Sequence, residues 1–243
     1  MSEKEKNKTN KDNIPKNIPR CIGIIMDGNR RWAREEGITL AEGHKKGYQK
    51  MKEVIRWGKE AGIEYVIFYA FSTENWNRGK EEVSYLMELF KYAFSTGYES
   101  LLRNKVRIKI IGDISAFSPD IQELMKKAEA DTAHFERTIV LAMSYGGRAE
   151  ILNAVKKLSK DKTKEEIKDM KEADFSDYLY TKDIPDPDII IRTSGEMRLS
   201  GFLPWQGVYS ELFFLKTSWP PLSKEEFLGV LEEYSSRERR HGK

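Results

Sequence analysis

The stretch IIMDGNRRWAREEGITLAEGH, residues 24–44, decides how the rest of the chain is read. An apolar run stops at Asp27, two helix-disfavouring residues follow in Gly28 and Asn29, and the cations Arg30 and Arg31 and the aromatic Trp32 come next. This is the order of parts in an anion site at the end of a strand. Glycine lets backbone N–H groups approach a phosphate, the N-terminus of a following helix adds positive potential, and arginine supplies forked donors. A carboxylate standing alone in that group would repel a polyanion. Asp27 is therefore read as the holder of a divalent cation bridging carboxylate and phosphate oxygens, and the segment as a metal-assisted diphosphate site.

Outward from this segment, short apolar runs recur at residues 21–26, 65–71, 106–111, 138–143, 188–192 and 211–215. Several are apolar almost throughout, as strands covered on both faces are. They predict an α/β fold: a single domain with a mainly parallel central sheet of about six strands flanked by helices. Residues 80–102 carry Val83, Leu86, Met87, Phe90, Phe94, Tyr98 and Leu101 at helical spacing. A second helix spans residues 43–61 and closes at Gly62. A third starts at Ser223, where Glu226 completes a capping box and Phe227, Val230, Leu231 and Tyr234 form the apolar face. Residues 156–171 are so charged that only a surface helix or loop fits them.

Composition narrows the function classes. The 243 residues are 33% charged but carry a formal net charge of only +3, which argues against bulk nucleic-acid binding and favours a local basic cluster for a phosphate-bearing ligand. No 18-residue apolar span is present. The single cysteine, Cys21, excludes an intrachain disulfide and a thiolate metal cluster. Residues 1–17 are polar and lysine-rich, read as a disordered charged tail before a catalytic domain at 18–243. With no signal-peptide pattern the expected location is cytoplasmic, and the lysines leave room for peripheral contact with an acidic membrane.

Two further loops carry chemistry. After the second run come Ser72, Thr73, Glu74, Asn75, Trp76, Asn77 and Arg78, a polar loop able to position a substrate. After the fifth come Arg192, Ser194, Arg198, Leu199 and Ser200, where arginines and serines clamp a second phosphate group. Glu211 opens the sixth run and offers another carboxylate. Two separate anion sites suggest two phosphorylated substrates.

The pieces MDGNRRWA, GHKKG, YAFSTENWNR, SYGGR, RTSGEMRLS, WQ with YSELFF, and the terminal RERRHGK, spread from residue 22 to the end, resemble the cis-prenyltransferase family, undecaprenyl diphosphate synthase branch. That resemblance implies condensation of isopentenyl diphosphate onto an allylic diphosphate such as farnesyl diphosphate, with new double bonds in cis geometry. It also implies a Mg²⁺-dependent homodimer that makes a lipid carrier for cell-wall synthesis. Carried over by position, Asp27 binds Mg²⁺ and assists departure of the allylic diphosphate, which Gly28, Asn29, Arg30 and Arg31 cradle, with His44 and Arg78 nearby. Asn75 helps remove the isopentenyl proton, with Ser72 in the same hydrogen-bond array, and Trp32, Thr73, Glu74, Trp76 and Leu199 are counted with the substrate-binding residues. Arg192, Arg198 and Ser200 hold isopentenyl diphosphate, Glu211 completes the metal site and acts near the dimer interface, and Arg240 and Gly242 form a C-terminal element reaching the partner's active site. The apolar face of 80–102, with the strand from Phe68 to Phe71, is the expected wall of a hydrophobic tunnel whose mouth Ala70 leaves open.

The chain departs from the family pattern at Leu40, where an arginine is usual, at Gly201 and Ser144, where asparagine is usual, and at Pro204 and Gly207. By default, Trp76 and Trp205 are packing residues, His134 is structural, and Arg237, Arg239 and Arg240 are a solvated tail. Alternative functions are a non-catalytic partner subunit of a prenyltransferase complex and a short-chain cis-prenyl diphosphate synthase. A nucleotide-binding protein or phosphohydrolase is disfavoured because GxxxxGK[ST] and GxGxxG are absent, and the absence of DDxxD disfavours a trans-type synthase.

Overall fold

The six apolar runs form one sheet. In the computed structural model, which describes residues 17–237, the strands are β1 (Cys21–Ile25), β2 (Tyr65–Ser72), β3 (Arg107–Ile111), β4 (Thr138–Tyr145), β5 (Ile189–Arg192) and β6 (Glu211–Phe214). Their order is β3-β4-β2-β1-β5-β6, and every neighbouring pair is parallel. All of β1 and β4 is buried. Alternate residues serve opposite faces: Ile139 and Leu141 join the larger core cluster, and Val140 and Ala142 the smaller. This is the double burial that the nearly continuous apolar runs predict. Cys21 lies fully buried in β1, and burial pushes its thiol pKa up, which makes it inert.

The helices are α1 (Asn29–Glu35), α2 (Leu40–Ala61), α3 (Lys80–Tyr92), α4 (Glu99–Arg103), α5 (Pro119–Thr132), α6 (Gly147–Asp161), α7 (Lys164–Lys168), α8 (Glu172–Ser176) and α9 (Lys224–Ser236). Helix α2 begins at Leu40 rather than residue 43 because Thr39 caps it. The Glu42 N–H donates to Thr39 Oγ1 at 3.2 Å and the Thr39 N–H donates to the Glu42 carboxylate at 2.9 Å, a capping box. Gly62 closes α2 with φ 89°, as expected. The single helix expected over 80–102 is instead α3, a π-helical turn at Ala93–Gly97, and α4. The charged stretch 156–171 is the exposed second half of α6 and α7, with Leu158 alone turned fully inward. No helix among the described residues is long and apolar enough to cross a membrane. The expected tail at residues 1–16, Arg239, and the expected C-terminal element with Arg240 and Gly242 lie outside the described residues.

Topology fixes where the chemistry falls. β1 is followed by β2 on one side and flanked by β5 on the other, so the strand order reverses between β1 and β5. Parallel α/β sheets bind ligands at such a switch point, beyond the carboxyl ends of the strands. Asp27 and Arg192 meet there.

Helix α9 secures the sheet by seating Phe227, 1% exposed, against Trp57 of α2 at a ring separation of 5.9 Å. Phe227→Ala is expected to cost about 3–5 kcal/mol, read as a lower urea midpoint at unchanged slope.

Candidate active site

The position of Asp27 is set from three sides. Its carbonyl accepts from Thr193 Oγ1 at 2.7 Å and from the Trp219 N–H at 2.9 Å. Its carboxylate accepts from the Gly28 N–H at 2.8 Å and from Arg192 Nη2 at 2.6 Å. Gly28 has φ 100°, and a Cβ there would lie 2.7–2.9 Å from the side chains of Ser218 and Ser194, so glycine alone fits the turn. The Asp27 side chain remains 34% exposed against 5% for Arg192. The acid is anchored on one side and open on the other.

Two basic clusters flank it. In the first, the Glu82 carboxylate of α3, 7% exposed, accepts from Arg78 Nη1 at 2.9 Å and lies 3.1 Å from His44 Nε2 and 3.6 Å from Arg30 Nε. Burial holds the His44 pKa below the ordinary histidine value, and the Glu82 carboxylate opposes that shift only in part. Burial also lowers the Arg78 pKa. In the second cluster, Arg31 donates to Ser194 Oγ at 2.7 Å and pairs with Glu196 at 2.8 Å, and Glu196 also holds Arg198 at 2.6 Å. Arg192 Nη1 donates to Ser200 Oγ at 2.9 Å and to the Arg198 carbonyl. Ser194, Ser200 and Leu203 all have positive φ, so this loop holds strained backbone of the kind that gathers at ligand clamps.

A cavity of about 450 Å³ opens at Asp27 and runs between α2 and α3. Its mouth is polar, with Asn29, Arg30, Arg31, Arg34, His44, Asn75 and Arg78. Its interior is apolar, with Met51, Leu86, Leu89, Phe90, Phe94 and Leu141. Asn75 is held by the Ser72 N–H, which donates to its Oδ1 at 3.1 Å. Leu86, Phe90 and Phe94 of the expected helix face line this cavity, and the strand side differs in detail from the expectation. β2 shifts register between Tyr69, opposite Ala142, and Phe71, opposite Met143, so Ala70 is an extra residue that lines the mouth. Phe68 and Phe71 are core, and the sheet side of the cavity comes from Tyr69 and Ala70 of β2 and from Leu141 and Met143 of β4.

Several of the residues named from the sequence stand away from the cavity. Trp76 donates to Ser144 Oγ at 3.0 Å and packs, partly buried, against Phe71 and Phe117, the packing role that is its default. Trp32, Ser72, Thr73, Glu74, Arg192, Arg198, Leu199 and Ser200 stand outside the cavity lining; Arg192, Arg198 and Ser200 belong to the second cluster beside Asp27, Leu199 packs against the smaller core cluster, and Glu74 is exposed. Glu211 lies at the opposite end of the sheet from Asp27. Register pairs it with Ile189 and that residue with Ile22, about 16 Å along the strand direction from Asp27. It pairs with Arg237 at 2.6 Å, so within one chain it does not share a cation with Asp27. Glu82 and Arg34 have no role in the sequence reading, and Thr193 stands in the loop after the fifth run without one. Glu82 had a signal, since it stands four residues after Arg78 on one helix face.

Two departures have a local reason. Gly201 has φ 79° and Ser144 φ 47°, the left-handed region that glycine and asparagine adopt most readily. Glycine at 201 therefore preserves the turn. Leu40 is the first residue of α2 and supplies no charge to the mouth.

A carboxylate set between two arginine clusters at a sheet switch point, above an apolar cavity, defines a binding site for phosphorylated lipids. The comparisons agree with that class. Residues 25–242 match a family described as "Putative undecaprenyl diphosphate synthase". An isoprenyl transferase of Thermotoga maritima is 46% identical over 93% of this chain and 97% of its own. A tritrans,polycis-undecaprenyl-diphosphate synthase (geranylgeranyl-diphosphate specific) of Picrophilus torridus is 46% identical over 93% and 90%. The crystal structure of lavandulyl diphosphate synthase from Lavandula x intermedia, in complex with dimethylallyl diphosphate, superposes with a TM-score of 0.87 at 31% identity, covering 93% of this chain and 99% of that one. The chain belongs to the undecaprenyl diphosphate synthase family of prenyltransferases, and it has that family's α/β fold.

Glu82→Gln removes the anion that supports the His44 charge, so the His44 pKa is expected to fall further, read by NMR titration. Stability is expected to fall by about 1–3 kcal/mol, because Arg30 and Arg78 keep some solvent. In the wild type the depressed His44 pKa means that the unfolded chain binds the extra proton first. Its effect is absent above about pH 6.5 and removes stability as pH falls below that value. An unchanged His44 titration in Glu82→Gln would contradict this coupling.

Proposed function

We propose that the chain condenses isopentenyl diphosphate with an allylic diphosphate, farnesyl diphosphate being the expected primer, to build a cis-polyprenyl diphosphate of the undecaprenyl type. The observation that carries this reading is Asp27, open to solvent between two separate arginine clusters at the mouth of an apolar cavity. Arg30, Arg78 and His44 would hold the allylic diphosphate with the backbone of Gly28 and Asn29. Arg31, Arg192, Arg198 and Ser200 would hold the isopentenyl diphosphate.

The residues fit a Mg²⁺ ion at Asp27. Among the described residues no group of three or more His, Cys, Asp or Glu side chains surrounds a metal position, so diphosphate oxygens and water would complete the shell, the ligand set Mg²⁺ favours. When bound, the ion would offset charge growing on the departing diphosphate. The arginines act in the same sense, each worth about 4 kcal/mol at 4 Å and an effective dielectric of 20. As the allylic C–O bond breaks, the isopentenyl double bond attacks the allylic carbon, and the proton lost from the isopentenyl unit passes to the departing diphosphate. Asn75 orients that proton, since an amide is too weak a base to take it alone. Each methylene drawn into the apolar interior gains about 0.8 kcal/mol.

A homodimer is part of the same proposal. β6 is an edge strand, and Val208 and Tyr209 before it and Leu212 within it are exposed apolar side chains. Such an edge is normally covered. Glu211 sits on this edge, where a second copy would meet it.

Purified protein given farnesyl diphosphate, labelled isopentenyl diphosphate and Mg²⁺ is expected to yield elongated lipids, whose sizing separates an undecaprenyl chain from a short one. Asp27→Asn keeps a hydrogen-bond acceptor for Arg192 but loses the charge, and is expected to cut turnover at least about 100-fold with the fold retained. No elongation with any primer would overturn the activity and leave a non-catalytic subunit. Undiminished turnover in Asp27→Asn would overturn the role of the acid.

A further inference from the structure

The cavity leads away from its polar mouth along one face of β4, from Met143 to Leu141. A smaller apolar pocket of about 30 Å³ shares Leu141 and Phe94 with it and continues to Ile139 and Ile108. From Met143 to Ile139 the path is about 13 Å, and it ends at the foot of the sheet, where the strands begin.

That foot is basic. A surface cleft there is lined by Arg107 at the start of β3, Arg137 just before β4, and Lys59, Arg103 and Lys105. Its carboxylates are Glu64 and Glu136, and Glu64 is already paired with Arg20 at 2.7 Å. Among the described residues Lys59, Lys105, Arg107 and Arg137 have no ion pair within 4.0 Å. Lys59 and Arg137 donate instead to the carbonyls of Asn104 and Ile63, which leaves their charge unmatched. Phe135, half-buried, lies in the same cleft. The proposed catalytic groups are all at the other end of the sheet, so this charge is not part of that site.

We infer that this basic cleft docks on an anionic lipid surface, placing the apolar end of the cavity against the bilayer. Its purpose rests on the proposed activity, because a polyprenyl chain is insoluble in water and must pass into a membrane. The docking is peripheral, since no described helix can span a bilayer. Unmatched cations give long-range attraction to anionic headgroups, and the half-buried aromatic ring reaches the headgroup layer. A polynucleotide is less well served: of the rings in the cleft, Tyr65 is covered by the Arg20 guanidinium at 5.6 Å, and His134 and Phe135 are chain neighbours whose rings lie 3.9 Å apart, which leaves no spaced series of stacking platforms.

The test is co-sedimentation of the full-length protein with vesicles of phosphatidylcholine alone or mixed with phosphatidylglycerol. The wild type is expected to bind the mixed vesicles, not the neutral ones, and to be released at about 0.5 M NaCl. The triple variant Arg103→Glu, Lys105→Glu, Arg107→Glu is expected to lower partitioning roughly tenfold or more, while its condensation rate in detergent stays at the wild-type value. The corresponding glutamine variant, which leaves no new charge, is expected to show a smaller loss. Replacing Lys4, Lys6, Lys8, Lys11 and Lys16 by glutamine is expected to leave most of the binding. Equal binding to neutral vesicles, retention by the triple variant, loss confined to the tail variant, or preference for an oligonucleotide over mixed vesicles would each overturn the docking. Sedimentation does not read turnover, so a failure of docking with normal condensation is distinct from a failure of the activity itself.

Discussion

Burying a guanidinium is costly unless its charge is matched, and at the end of β5 the match for Arg192 is the Asp27 carboxylate at 2.6 Å. That pair ties the carboxyl ends of β1 and β5 together where the strand order reverses. Because Arg192 also reaches Ser200 and the Arg198 carbonyl, the loop after β5 is gathered over Asp27. Because Gly28 must take a left-handed conformation beneath Ser194 and Ser218, α1 leaves at the angle that brings Arg30 to one side of the acid and Arg31 to the other. The two basic clusters are consequences of this junction.

Each cluster carries its own acid. Glu82 offsets part of the charge of Arg30 and Arg78 and faces His44, and Glu196 offsets part of the charge of Arg31 and Arg198, so each cluster stays net positive. Like charges this close would otherwise repel and scatter the arginines. An incoming diphosphate therefore meets donors already oriented, at the cost of competing with one carboxylate per cluster. The arrangement gives the two sites different character: Glu82 is buried and its histidine titrates low, whereas Glu196 is 29% exposed and its arginines are half in solvent. In the proposed reaction the first site holds the group that leaves and the second the group that stays.

Much of this was legible in the sequence because strands buried on both faces must be apolar throughout, and all six runs are strands. The segment after β1 was legible only in combination with the other motifs, since glycine followed by arginines beyond a strand end also suits a plain strand-to-helix turn. Less was visible where the deciding fact is three-dimensional. The bulge at Ala70 changes which residues line the cavity, and no local pattern announces it. Trp76 reads as a substrate residue within its motif, yet the loop turns its ring into an aromatic core with Phe71 and Phe117. Glu211 reads as a metal ligand near a dimer interface, and only the register shows that it stands at the far end of the sheet from Asp27 in its own chain, on the edge strand β6. Helix α3 gave way to a π turn at Ala93, although the apolar spacing runs on unbroken.

The central claim is that each chain holds two diphosphates side by side and that only the one beside Asp27 depends on a divalent cation. Calorimetric titration with isopentenyl diphosphate and an unreactive allylic diphosphate analogue, with and without Mg²⁺, tests it directly. One molecule of each is expected to bind per chain, with only the analogue losing affinity when the metal is chelated. A single diphosphate per chain, or equal loss of both on chelation, would contradict it.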